Sequence, residues 1–123
     1  MNKIIDIAGR ALWSLPFFMF GMGHFQNAAG MAGMVPAWVP GGIFWVYLTG
    51  AAMIAAVVAI NLRKQDRLAA LGAALLLVTI AVTVHFPNMQ SADANMKMMG
   101  FMGFFKDLGL AGGALLIAAN SKA

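Results

Sequence analysis

Six ionisable side chains interrupt otherwise apolar stretches of this chain: Asp6, Arg10, His24, His85, Lys106 and Asp107. A charge in hydrocarbon costs on the order of 3 kcal/mol or more, so each needs a partner, a proton change or a route to water. Lys106 and Asp107 pose this most sharply, because they adjoin within Met99–Ala119, a run long enough to cross a bilayer as a helix. Neighbouring helical residues point about 100° apart, which predicts that the two do not simply neutralise each other and that other helices supply polar partners. Imidazole nitrogens donate or accept and an ammonium only donates, so His24, His85 and Lys106 around one pocket suit a ligand rich in carbonyl acceptors. A quinone headgroup is such a ligand. Asp6 and Arg10 stand four residues apart, acid first, the spacing of a local structural ion pair. Arg10 is also deep enough to reach toward Asp107 from the opposite direction.

Each of these residues has a plainer reading. An imidazole at a helix end often only meets headgroups or water, and a lysine near a membrane surface snorkels. Met31, Met34, Met89, Met96, Met98, Met99 and Met102 gather in one half of the chain's depth, and with His85 their thioethers are Cu(I)-type ligands. Methionine is more often adaptable apolar filling, and no compact ligand motif accompanies it, so no metal site is expected. The chain contains no cysteine, which removes disulfides, thiolate metal sites and thiol relays of its own. No phosphate loop, serine triad or paired-carboxylate motif is present.

Positioning these residues falls to four long apolar runs. Of 123 residues, 62% are hydrophobic and 10% charged, against about 25% charged in ordinary soluble domains. The expected fold is all-α, a single domain that forms an integral membrane bundle of four transmembrane helices, over about 4–25, 41–60, 68–86 and 97–119. The formal charge of +4 is scattered rather than gathered on a basic aromatic surface, which argues against nucleic acid. Asp6 and Arg10 interrupt the first run near its start, unlike the core of a cleaved signal peptide. Pro16 removes a backbone donor within that run and favours a kink. The uncharged loop 28–40, with its glycines and prolines, should lie at the membrane interface or fold over the bundle. Trp38, Trp45 and Tyr47 mark headgroup depth. Small residues offer close-packing faces at Gly21 and Gly23, at Ala51, Ala55 and Ala59, at Ala69, Gly72 and Ala73, and at Gly109 and Gly113. Pro87 should stop the third helix, and Asp93 or Asn95 should cap the fourth.

Short-loop charge sets the orientation. Lys3, Arg63, Lys64, Arg67 and Lys122 lie on the side of the termini, and Lys97 alone on the other. Both termini are therefore expected in the cytoplasm of a bacterial inner membrane. In that frame His24 and His85 end their spans at the outer face, and Lys106 lies about 10–15 Å below it. Side chains lean toward a helix's N-terminus, which sends Lys106 back toward both histidines.

Four stretches taken together, GRALWSLPFFMFGMGHF, VPAWVPGGIFWVYLTGAAMIAA, HFP and GFFKDLGLAGGALLIA, resemble the DoxX family of small four-helix bacterial membrane proteins. The resemblance covers most of the chain through the order and spacing of individually degenerate pieces. Arg10, the Gly21–His24 end and Lys106–Asp107 match positions where that family carries polar residues. The second span departs from it by lacking an acidic residue, with Tyr47 and Thr49 nearby instead. The resemblance implies association with thiosulfate:quinone oxidoreductase, terminal quinol oxidase or oxidative-stress complexes. The expected role is a redox-associated subunit that binds a quinone or similar molecule, without a covalent cofactor, in an outer-leaflet pocket formed by His24, His85, Lys106 and Asp107. Besides the lipid bilayer, its expected partners are a redox subunit or further copies of itself. A structural or assembly protein and a small transporter are the alternatives.

Overall fold

A computed structural model describes residues 2–122. The chain is all-helical among these residues, and four of its helices are long and apolar enough to cross a membrane. α1 (Lys3–Gln26) is followed by the short α2 (Ala28–Ala32), then α3 (Ile43–Leu62) and α4 (Asp66–Ile80). α4 continues through a π-helical stretch, Ala81–His85, into the single turn α5 (Phe86–Asn88), and α6 (Ala94–Ala119) closes the chain. This is a multi-pass membrane protein built as a four-helix bundle. Twenty-four residues in α1 and twenty-six in α6 give lengths of about 36–39 Å, enough for a hydrocarbon core of roughly 30 Å.

The helix ends follow local chemistry. Asn2 accepts from the amide of Ile4 at 2.9 Å and caps α1, and Asp93 accepts from the amide of Asn95 at 3.1 Å and caps α6. Residues 63–65 alone link α3 to α4, with Arg63 and Gln65 both left-handed (φ 58° and 56°). So short a link makes the two helices antiparallel neighbours.

Several expected details differ. Pro87 does not end the third span, which runs to Asn88. The π stretch explains this, because the Phe86 amide bonds the Ala81 carbonyl five residues back and shifts the ladder that proline would otherwise break. Ala51 and Ala55 face outward, while Val46, Gly50, Met53, Ala56 and Ile60 form the buried face of α3. Gly72 is exposed, and Gly109 has nothing within 4 Å of where a Cβ would stand. Close approach is required at Gly21 against Gly50 and at Gly113 against Trp13, as expected, and also at Gly100 and Gly103 against the end of the third span.

The core lies in the half of the bundle nearer the termini. Trp13 and Phe17 meet Met53, Ala56 and Ile60 there, with Ala70, Ala73, Ala74 and Leu77 packing with Ala111, Ala114, Ile117 and Ala118. Trp13 also donates to the Leu110 carbonyl at 2.9 Å, and Asn61 donates to Ser14 at 2.8 Å. The other half is not filled in this way. It holds a cavity.

Candidate functional site

Two polar layers stand at opposite depths of the bundle. The layer at the terminal side is organised on Arg10, which is 2% exposed. Its Nε lies 3.2 Å from Asp6, and its Nη1 donates to Asp66 at 2.8 Å and to the Ile60 carbonyl at 3.1 Å. Its Nη2 donates to Ser121 at 3.1 Å and to the Asn120 carbonyl at 3.3 Å. One guanidinium on α1 thus ties the end of α3, the start of α4 and the residues after α6. Asp6 also pairs with Arg63. The expected Asp6–Arg10 pair is present, but the expectation that Asp107 is the other available acid is corrected. Asp66 takes that place. Asp107 lies 13 residues from Asn120, about 20 Å along α6, at the other layer.

The second layer contains the remaining sequence-selected residues. Asp107, 3% exposed, has the Lys106 ammonium 3.3 Å from one carboxylate oxygen and His85 Nε2 3.2 Å from the other. Adjacent residues therefore do pair here, contrary to expectation. The lysine stem is long and flexible enough to bring its nitrogen to its neighbour's carboxylate. The same ammonium stands 4.0 Å from the centre of the Phe20 ring on α1, a cation–π contact. His85 leaves the helix surface from the π stretch, and Gly103 makes room for its ring. A Cβ at Gly103 would fall 2.5 Å from His85 Nδ1. His24 Nδ1 lies 2.6 Å from the Phe20 carbonyl. That carbonyl only accepts, so Nδ1 carries the proton and Nε2 of the neutral ring is an acceptor.

His24, His85, Lys106 and Asp107 all line one cavity of about 520 Å³, within the roughly 300–1,000 Å³ of small-molecule sites. Its walls come from α1, α2 and the segment after it, α3, α4 and its π extension, and α6. Met19, Met31, Met34, Val35, Val39, Leu76, Leu77 and Ile80 make most of the lining apolar, and Trp38 and Trp45 also border it. Thr49, Thr79 and Thr83 add hydroxyls, of which Thr79 and Thr83 donate to the carbonyls four residues before them. The loop expected over the bundle thus forms part of the wall. No cluster of three or more metal-ligating acids or imidazoles occurs among the described residues.

Three participants escaped the sequence reading. Asp66 looked like part of a solvated connection, although a link this short forces it to the depth of Arg10. Phe20 carried no signal beyond hydrophobicity. Gly103 was hidden by its neighbour Gly109, four residues before Gly113.

Residues 14–100 match the family model of a domain of unknown function, DUF8561, and the chain belongs to that family. No curated protein and no solved structure matches the chain.

Proposed function

We propose that this DUF8561 protein binds a quinone, or a similar amphipathic molecule with a carbonyl-bearing headgroup, as a redox-associated subunit of the membrane. The observation that carries this reading is the shared cavity. A donor-only ammonium, two imidazoles and a buried carboxylate line one mostly apolar cavity. The apolar lining suits a hydrocarbon tail and the polar groups suit a headgroup. The likeness of GRALWSLPFFMFGMGHF and GFFKDLGLAGGALLIA to DoxX sequences points the same way.

The residues divide the work. Lys106 donates to a headgroup carbonyl oxygen, while Asp107 and the Phe20 ring balance its charge. His24 Nε2 accepts from a headgroup hydroxyl, because its other nitrogen is committed to the Phe20 carbonyl. Donor and acceptor in one cavity accommodate both the carbonyl and the hydroxyl form of a ligand. Asp107 stands 3.2 Å from His85 Nε2, which places an imidazole beside a carboxylate at the cavity wall. A bound quinone would supply the electron chemistry, with Lys106, His24 and His85 as the side chains that would hold its headgroup. The test is direct. Organic extraction of the detergent-purified protein should release quinone at close to one per chain, and an extract free of quinone from quinone-containing membranes would contradict the proposal.

We also place both termini in the cytoplasm of a bacterial inner membrane, with the cavity in the outer leaflet, on the five-to-one distribution of basic residues. Because the chain has no cysteine, Gln90→Cys and Lys64→Cys report the two faces separately. In intact cells, an impermeant thiol reagent should label Gln90→Cys and reach Lys64→Cys only after permeabilisation. The reverse pattern would invert the assignment.

A further inference from the structure

A second cleft, of about 400 Å³, lies at the terminal face and is separate from the cavity above. Arg63, Arg67 and Lys122 border it, and Leu68 and Leu71 line it along the first turns of α4. Asp66 also borders it, but its carboxylate is committed to Arg10 at 2.8 Å, so it does not neutralise the rim. Arg63 shares Asp6, whereas neither Arg67 nor Lys122 has a carboxylate partner among the described residues. Arg67 moreover occupies the first turn of α4, where the helix dipole disfavours a cation. Two cations without a carboxylate partner among the described residues, Arg67 and Lys122, therefore border one concavity beside Arg63, and an anion would relieve their repulsion.

The apolar part of the cleft identifies the anion's carrier. Leu68 is 68% exposed and Leu71 42%, and both point outward on a helix that enters the membrane immediately beyond them. A free inorganic anion would use the basic rim and leave these leucines bare. A phosphate attached to acyl chains uses both. We infer that this cleft binds the headgroup of an anionic phospholipid, with its phosphate between Arg67 and Lys122 and an acyl chain along Leu68 and Leu71. Basic pockets between transmembrane helices at the cytoplasmic surface recognise anionic lipids by this combination of charge and chain. The inference is independent of what occupies the larger cavity.

The test uses the full chain, delipidated in a neutral detergent and presented with phosphatidylglycerol or phosphatidylcholine of identical acyl chains. Native mass spectrometry should show phosphatidylglycerol retained at least about tenfold better. The double variant Arg67→Gln, Lys122→Gln should lose that preference, and both side chains are exposed, so the bundle should fold. Lys97→Gln, on the opposite face, should keep it. Excess inorganic phosphate should leave the lipid adduct in place. Equal retention of the two lipids, or an unchanged preference in the double variant, would overturn the inference. Displacement by phosphate would overturn it in favour of a free-anion site.

Discussion

Replacing Arg10 with leucine should cost more stability than any other single substitution in this chain. Leucine leaves the Asp66 carboxylate, 6% exposed, without its guanidinium, and leaves the Ile60 and Asn120 carbonyls without a donor. Removing one partner of a buried ion pair costs about 3–5 kcal/mol, chiefly because the other charge is stranded. Asp6 is less affected, since Arg63 still reaches it. Arg10→Lys should rescue little, because one ammonium cannot span acceptors on three other segments as a planar fork does. Adding Asp66→Asn to Arg10→Leu should restore part of the loss by removing the stranded charge. Thermal unfolding in detergent measures all three. A melting temperature for Arg10→Leu equal to wild type would mean that the clasp does not hold the bundle together.

The second large effect is expected at Gly103, on function rather than on folding. An alanine Cβ there would stand 2.5 Å from His85 Nδ1 and 2.6 Å from Cε1, so the imidazole must leave its position beside Asp107. The ring is a side chain and can swing, which limits the folding cost to about 1–3 kcal/mol. It cannot keep its 3.2 Å approach to the Asp107 carboxylate while doing so. Gly103→Ala should therefore fold yet retain roughly tenfold less quinone through purification, the order of loss expected when a polar contact to a charged group at the site is broken. Gly109→Ala is the matched control, because nothing lies within 4 Å of its Cβ position. It should keep the ligand and gain up to about 1 kcal/mol from helix propensity. Equal retention in the two variants would remove His85 from the site.

The depth of each residue was legible in the sequence, and its lateral direction was not. Helix rise fixes depth at about 1.5 Å per residue, which is why His24, His85 and Lys106 could be assigned to one layer from chain position alone. Direction needs a polar side to the helix, and α3 between Ile43 and Ile60 has almost none. Its alanines at 51, 55 and 59 therefore suggested a packing face that the bundle does not use, while Gly50 and Met53 supply the buried one. The GxxxG spacing at Gly109 and Gly113 misled for the same reason, since only Gly113 meets a neighbouring side chain. Asp66 was lost to composition, as one acid in a basic polar connection reads as solvated. The Lys106–Asp107 contact was lost to a backbone argument that ignored the length of the lysine stem.

Quinone binding in the cavity beside Asp107 is tested most directly by fluorescence titration with a short-tailed quinone. Trp38 and Trp45 border the cavity, whereas Trp13 sits in the core beneath it. Quenching in wild type should saturate at one quinone per chain. His24→Phe should fold normally, and Lys106→Met should keep the fold at some cost in stability, since Asp107 then retains only His85. Each should weaken binding by about tenfold or more, because each removes a hydrogen-bonding group from the cavity. Unsaturable quenching of the same slope in wild type and both variants would show only partition into detergent, and would contradict the site.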